Sequence, residues 1–560
     1  MLSRGEAIAA LTAVGEFFEL EVADMHGAAR RVFKNAPRSL REQWLATAGY
    51  GDRPYFIYND ETTTYADAHR MVNSLATWLT ERGIGKGDRV AIGMRNYPEW
   101  AIAFFAVESI GAIVVSLNAW WIADELRYAF TDSNTVAAIV DGERLERISP
   151  DLQQECGIEH VVVAHGNARP GTTAWADAVG NAAATMPDVD IDPNDDATIL
   201  YTSGTTGFPK GAIGSHRNYV TNTWNARFGV ALAAKMMDAP VIPNIAPPSV
   251  SLSTFPFFHI AGLCGLINQT AFGGTIVTQF KWDAGEGLRL IEKYRVSSMG
   301  GVPTVVRSLL EHPDRDKFDL SSLASIGQGG APASPDTIAR IGKDFAGKVA
   351  PGNGYGLTET TAGCIGIAGA AYLQRMDSIG LPVVGTDVKI ADDDGNELPR
   401  GQIGELWISG PNNVRGYWNK PEATASAFVN GWFRSGDAGY MDDEGYLYVV
   451  DRIKDMVLRG GENVYCVEVE SALFEHDSVK DCAVIGLPHD KLGEEVAAVI
   501  VPADGHGGHS EQDVLAHLKS RLAGFKVPSR VFWREQELPR NATGKVLKKD
   551  LRDEYSNQEK

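Results

Sequence analysis

The sequence predicts an α/β protein: a large N-terminal domain of mainly parallel α/β subdomains with a small β-barrel-like part, then a small, mobile α+β C-terminal domain. Three observations predict it. Strand-like and helix-like patterns alternate from Thr64 to Gly301, and such repeats wind into parallel sheets because their crossovers are right-handed. Between 376 and 450 the texture changes to short β-like pieces separated by Gly, Asn, Pro and Asp, the pattern of a small barrel or antiparallel layer. After the charged break Asp451-Arg452-Ile453-Lys454-Asp455 follow about 110 residues, a length at which a domain folds alone. The division expected is therefore 1–451 and 452–560.

Taken in order, Ala7 to Gly15 is a short apolar run hemmed in by Arg4, Glu6, Glu16, Glu19 and Glu21. It reads as an amphipathic helix and not as a signal peptide. A helix over Ala66 to Arg82 leads through a turn at Gly83 to Gly87 into a strand, Arg89 to Gly93. A helix over Glu99 to Ile110 and a strand over Ile113 to Leu117 follow. The apolar stretch from Ala101 to Leu117 contains Glu108 and Ser109 and falls short of the roughly 20 residues that cross a bilayer, so no stable membrane anchor is expected. Further strands are expected at Ala137 to Val140, His160 to Ala164, Ala197 to Tyr201, Ser251 to Pro256, Thr275 to Thr278 and Ser297 to Gly301. In the later texture they are expected at Asp387 to Ala391, Gly404 to Ser409 and Tyr446 to Val450. The last part reads as a helix (Val467 to Glu475), two strands (Ala483 to Leu487, Val496 to Val501) and a helix (Gln512 to Leu522).

Bulk composition narrows the function. The 560 residues are 44% hydrophobic and 22% charged with a net charge of −20, and the pI is near 5.1. Nucleic acid is disfavoured as a partner because a phosphate backbone demands a basic footprint. Any anionic ligand must be met locally. The five cysteines form no CxxC pair, which fits a reducing cytoplasm and suggests neither a disulfide framework nor a zinc ribbon. The oligomeric state stays open.

One stretch meets an anion on its face. In YTSGTTGFPKG, residues 201 to 211, two glycines and four Ser/Thr hydroxyls precede a proline, a lysine and a third glycine, directly after Ala197 to Leu200. Flexible backbone after a strand, with hydroxyls and an ammonium converging, is how a chain cradles phosphate. The stretch is not GxxxxGK[ST]: counted from Gly204, Pro209 stands where the second glycine belongs, and Lys210 is followed by Gly211 instead of a hydroxyl.

Four other stretches carry chemistry. Asn353-Gly354-Tyr355-Gly356-Leu357-Thr358-Glu359-Thr360 offers close backbone approach, an aromatic face for a base and hard oxygens of the kind magnesium prefers. Arg434-Ser435-Gly436-Asp437 reads as a turn whose carboxylate can take both hydroxyls of a ribose. The segment from Asp451 to Tyr465 joins the charged break to Gly460-Gly461-Glu462, and Asn541-Ala542-Thr543-Gly544-Lys545 sets a lysine past a flexible glycine near the end of the chain.

In their order and approximate spacing these five stretches resemble the adenylate-forming superfamily of acyl- and aryl-CoA synthetases, luciferases and peptide-synthetase adenylation domains, over about Thr64 to Leu551. The resemblance implies a ligase that uses ATP to turn a carboxylic acid into an acyl-AMP and pyrophosphate. The acyl group then passes to a thiol, most often that of coenzyme A. Mapped onto this chain, the loop Thr202, Ser203, Gly204, Thr205, Thr206, Gly207 to Lys210 resembles the clamp on the β- and γ-phosphates, with Thr202 and Glu359 toward Mg2+. Gly329, Gly330 and Ala331, with Gly354, Tyr355, Gly356 and Thr358, resemble the walls around the adenylate. Asp437 and Arg452 are similar to the ribose pair, Lys454 to the hinge, and Gly460, Gly461 and Glu462 to the border of the pantetheine tunnel. Lys545 matches the lysine that bridges the carboxylate and the α-phosphate. His259, in Phe257-Phe258-His259-Ile260-Ala261-Gly262, resembles the ring beside the acyl carboxylate.

Each of these residues has a plainer reading. A His in an apolar stretch is by default a satisfied core residue, Asp in an RSGD stretch a turn former, and Lys545 beside Lys548, Lys549 and Arg552 part of a solvated charged face. Only register with the family turns them into a site. Gly507-Gly508-His509-Ser510 imitates the phosphopantetheine serine of carrier proteins, yet Ser510 with Asp513 reads better as a helix N-cap pair. Cys466 stands where many relatives have proline. The acceptor alternatives to CoA are a carrier protein or an amine, with a luciferase-like oxygenase and a non-catalytic binder as further classes. The stretch Gly300 to Thr304, with Phe257, Phe258 and Gln328, reads as an acyl pocket wall without a basic residue, which suits a fatty or aromatic monocarboxylic acid.

Overall fold

The computed structural model describes residues 2–202, 209–241, 249–331, 335–503, 510–541 and 544–556. Its contacts divide the chain into two compact units, one of Met1–Arg375, Gly380–Asp387 and Ile408–Phe433, the other of Met376–Ile379, Val388–Trp407 and Arg434–Lys560.

The first unit is built on two sheets. One has seven strands in the order Lys210–Ser215, Asp196–Thr202, Ile113–Ser116, Arg89–Gly93, Ala137–Asp141, His160–Ala164 and Thr173–Ala174. All its pairs are parallel except the first, which is antiparallel. The other has nine strands, with a parallel centre that includes Val250–Ser253, Ser298–Gly301, Ser325–Gly329 and Ala350–Leu357. Helix Pro98–Ser109 explains how they are joined: it is buried from Trp100 to Ser109, because a helix apolar all round must be covered all round. Its Trp100, Phe104 and Phe105 share one core with Val90 and Ile139 of the first sheet and Phe56 and Ile276 of the second. Helix Tyr65–Thr80 starts where expected, since Thr64 and Asp67 form a capping box. The N-terminal run is helical over Arg4–Leu11.

The second unit holds strands Val479–His489 and Gly493–Pro502, paired antiparallel along their length. Both faces are covered. Val484, Val496, Ala498 and Ile500 enter one core, while Ala483, Ile485, Ala497 and Val499 enter another, the period-two alternation of a strand buried on both sides. Helices Cys466–Phe474, Glu511–Lys519 and Lys548–Ser556 belong to this unit. Ser510 caps the second of them, accepting from the Asp513 N–H.

One motif differs in local structure from its sequence reading. Arg434 to Asp437 lies inside strand Trp432–Met441 and is not a turn, and Asn353 to Gly356 lies inside strand Ala350–Leu357. Gly436 keeps a left-handed φ of 71°, so the strand is irregular where the motif called for a turn.

Candidate functional site

In the first unit the phosphate-loop candidate is held at its stem. Thr202 and Lys210 are register partners at the open end of the Asp196–Thr202 and Lys210–Ser215 pair, and the Thr202 hydroxyl donates to the Lys210 carbonyl at 3.4 Å. Just before Lys210, the Pro209 carbonyl accepts from the Tyr128 hydroxyl at 3.0 Å. Ser203, Gly204, Thr205, Thr206 and Gly207 lie outside the described residues.

Glu359 sits in a short 3-10 turn, Thr358–Thr360, directly after strand Ala350–Leu357. Its side chain is buried, and Oε1 accepts from the Tyr417 hydroxyl at 2.7 Å. The Tyr417 ring in turn lies 5.2 Å from the Lys210 ammonium, within cation–π range. Burial first, then the Glu359 carboxylate, raises the Tyr417 phenol above its usual range, so it stays a donor. Motif reading did not single out Tyr417; the signal for it is spatial. Among the described residues Glu359 Oε2 takes no hydrogen bond, and no group of three or more His, Cys, Asp or Glu could hold a metal. One available carboxylate fits magnesium, which typically takes one or two carboxylates and completes its shell with phosphates and water.

The candidate adenylate walls are strands lying side by side. Gly329 pairs with Gly354 in the parallel register, and Gly300, Gly327 and Gly352 form a second row across three strands. These glycines differ in what they permit. A Cβ on Gly356 would stand 1.7 Å from the Ala362 carbonyl, whereas one on Gly354 would meet nothing within 4 Å. Gly330 has a φ of 76°. Tyr355 follows Gly354 in the same strand, and Ala331 follows Gly330 as the last described residue before 335.

His259 is the N-cap of helix Ile260–Ala271, its Nδ1 accepting from the Ala261 N–H at 3.3 Å. Burial holds its imidazole pKa down to about 4, so the ring is neutral at pH 7. Gly262 allows this seat, since a Cβ there would stand 2.1 Å from the Pro256 carbonyl. Beside this helix a cavity of about 100 Å³ is bordered by Ser251, Ser253, Phe255, Leu266, Gln269 and Gly300, and no charged side chain among the described residues lines it. Of the other expected wall residues, Phe257 is fully buried in the core between the two sheets, and Gln328 is buried with neither end of its amide hydrogen-bonded among the described residues.

The second unit gathers the remaining candidates. Asp437 and Arg452 are cross-strand partners joined by an ion pair at 2.5 Å, and Asp437 is 2% exposed. Lys545 follows the described Gly544, its N–H donating to Asn541 Oδ1 at 2.9 Å. Its ammonium pKa is pushed down to about 8, by burial first and then by the positive charge of Arg452; Asp455 opposes, Lys454 adds to the depression and Asp437 opposes more weakly. The structure thus brings Lys545, Lys454, Arg452, Asp455 and Asp437 into one electrostatic neighbourhood. Lys454 lies in the turn between Leu447–Arg452 and Val457–Arg459, and burial lowers its pKa as well. Gly460 and Gly461, with φ of 62° and 90°, turn the hairpin that Glu462 continues. The departure at Cys466 has a local use: its backbone N–H donates to the Asp451 carboxylate, a bond that a proline there could not make.

Two family models match the chain. The family model of the AMP-binding enzymes matches residues 42–418, and that of the AMP-binding enzyme C-terminal domain matches residues 468–545. The chain is 36% identical over 493 residues to a feruloyl-CoA synthase of an Amycolatopsis species, covering 87% of this chain and 93% of the relative. It is 35% identical over 508 residues to the long-chain-fatty-acid–CoA ligase FadD13 of Mycobacterium tuberculosis, covering 89% and 94%. Among solved structures it resembles o-succinylbenzoate coenzyme A synthetase (MenE) of Bacillus subtilis in complex with ATP and a magnesium ion. That match has a TM-score of 0.77 and 28% identity, and covers 91% of this chain and 98% of the other.

Proposed function

The chain belongs to the AMP-binding enzymes, and from that premise we propose that it is an AMP-forming acid–CoA ligase. It converts a carboxylate and ATP into acyl-AMP and pyrophosphate, and then transfers the acyl group to the thiol of coenzyme A, releasing AMP. The observation that carries this reading is the link Lys210–Tyr417–Glu359 at the stem of the phosphate loop, a cation and an acceptor-only carboxylate set to face a polyphosphate. A carboxylate is a poor acyl donor because its leaving group would be oxide; exchange for AMP supplies a good one.

Roles then follow for this chain's residues. Lys210 and the loop from Thr202 hold the departing pyrophosphate. Glu359, with Thr202 nearby in the family pattern, would hold Mg2+, which when bound neutralises phosphate charge. Gly329, Gly330, Ala331, Gly354, Tyr355, Gly356 and Thr358 give the adenylate backbone-lined walls, and Asp437 with Arg452 reads the ribose. Lys545 offers a cation to the oxygens on which charge grows in the first step. His259, neutral at pH 7, packs beside the acyl carboxylate and does not donate a proton from an imidazolium. Lys454 is the hinge between 1–451 and 452–560, and Gly460, Gly461 and Glu462 border the thiol path.

The acid is a fatty or aromatic monocarboxylic acid. The uncharged lining of the cavity beside helix Ile260–Ala271 supports it, since a second carboxylate would call for a basic partner there. The relatives' names, one for an aryl acid and one for long-chain fatty acids, bracket the same range. The test is product analysis with ATP, Mg2+ and a panel of fatty and aryl acids, with and without CoA. Adenylate that accumulates without any thioester, for every active acid, overturns the CoA assignment.

A further inference from the structure

We propose that Tyr417 is a positioning residue for the phosphate and metal site, a single side chain that sets both the metal carboxylate Glu359 and the phosphate cation Lys210. The proposal rests on the roles given to those two residues above. Tyr417 lies on a strap that is bonded, residue by residue, to the pieces it would align. The Val414 N–H donates to the Glu359 carbonyl at 2.9 Å, the Ile213 N–H to the Gly416 carbonyl at 3.0 Å, and the Trp418 N–H to the Gly211 carbonyl at 2.7 Å. Ala212 and Tyr417 form an antiparallel bridge. Farther along, Lys420 pairs with Asp132 at 3.1 Å, and Asp132 also accepts from the Tyr201 hydroxyl at 2.8 Å. The strap therefore fixes both strands of the loop stem against the turn that carries Glu359.

Within this frame Tyr417 acts twice. Its hydroxyl occupies Glu359 Oε1, which holds the carboxylate in one rotamer and leaves Oε2 for a ligand; such outer partners orient the groups that touch a metal. Its ring face holds the Lys210 ammonium by cation–π attraction, which limits the arc a flexible lysine can sweep. The hydroxyl thus governs metal affinity and the ring governs phosphate affinity, so the two functions can be separated by substitution.

The experiment compares wild type, Tyr417→Phe and Tyr417→Leu, each as the full chain. Binding of Mn2+ in the presence of a non-hydrolysable ATP analogue is followed by electron paramagnetic resonance, and metal-free pyrophosphate binding by calorimetry. Tyr417→Phe keeps the ring, so Mn2+ binding weakens roughly 10- to 100-fold, the usual loss for an outer-shell partner, while pyrophosphate binding holds. Tyr417→Leu weakens both. In a Glu359→Gln background, Tyr417→Phe adds no further loss of Mn2+ affinity. Unchanged Mn2+ binding in Tyr417→Phe overturns the proposal, as does loss of its cooperative unfolding transition, which would make the hydroxyl a fold contact only. A wild type that binds no Mn2+ with the analogue overturns the roles of Glu359 and Lys210 themselves, and Tyr417's with them.

Discussion

The Asp437 carboxylate meets the Arg452 guanidinium at 2.5 Å, the two residues standing opposite each other in the antiparallel pair of Trp432–Met441 and Leu447–Arg452. The pair is pre-set by the strand register and not by a loop that must order on binding. A carboxylate held in this way is already in place when a ribose hydroxyl arrives. Asp437→Asn should raise the KM for ATP on the order of 10- to 100-fold in pyrophosphate exchange, the loss of about 1.5–3 kcal/mol for hydrogen bonds to a charged group, with the KM for the acid little changed. An equal rise for both substrates would mean that the pair supports the fold and not the nucleotide.

Lys545 carries a pH signature. Its ammonium, pushed down to about 8 by burial and by Arg452, is charged below that pH and loses its proton above it. In the role proposed for Lys545 the adenylation step uses that positive charge, so kcat/KM for adenylation should be sustained below pH 8 and decline about tenfold per unit above it, since this parameter reports the free enzyme. Lys545→Arg should move that alkaline limb out of range. Lys545→Ala should lower adenylation by about 10²–10³, the scale for removing one charge-stabilising donor, while thioester formation from supplied acyl-AMP persists. Equal loss of both half-reactions would refute the assignment.

These two residues also show how far sequence carries. The strands Arg89–Gly93 and Thr275–Thr278 were legible because both are apolar runs of the length and period that a buried parallel strand requires. The strand Ala350–Leu357 was not, because it contains three glycines and its extended form is imposed by neighbours on both edges; tertiary pairing overrides propensity there. Asp437 and Arg452 were each legible as motif members, but their contact depends on a hairpin register. Tyr417 stood in no motif, since its partner Glu359 is 58 residues away in the chain and only the strap brings them together.

The glycines of strand Ala350–Leu357 separate fold from site. Gly356→Ala drives a Cβ to within 1.7 Å of the Ala362 carbonyl, which backbone alone cannot relieve, so it should destabilise the protein by several kcal/mol, beyond the usual 0.5–3 kcal/mol range for single substitutions. Gly354→Ala meets nothing within 4 Å and should leave the Tm within about 2 °C, the scale of a few tenths of a kcal/mol in a large domain. If the adenylate lies against that backbone, the same substitution should still raise the KM for ATP or acid. A Gly354→Ala enzyme with unchanged Tm and unchanged kinetics would move the ligand away from this strand.

Lys454 offers a test of hinge and chemistry together. It occupies a turn in which the Ile453 N–H donates to the Gly436 carbonyl and the Asp455 N–H to the Arg452 carbonyl, each at about 3 Å. No hydrogen bond from the Lys454 N–H itself is found among the described residues. Proline there removes a donor the fold does not use and fixes the local φ, so the cost to stability should be below about 1 kcal/mol if the native φ suits it. The same stiffening opposes any backbone rotation at this point. If the C-terminal part turns about Lys454 between the two half-reactions, Lys454→Pro should leave adenylation near wild type and slow thioester formation on the order of tenfold, equivalent to about 1.4 kcal/mol on that barrier. Single-turnover measurement of each half-reaction decides between the alternatives. Two unaffected steps would place the hinge elsewhere. Matched losses would instead mark local damage to the Asp437, Arg452 and Lys545 neighbourhood, because a purely conformational block acts on the second step and leaves the first intact.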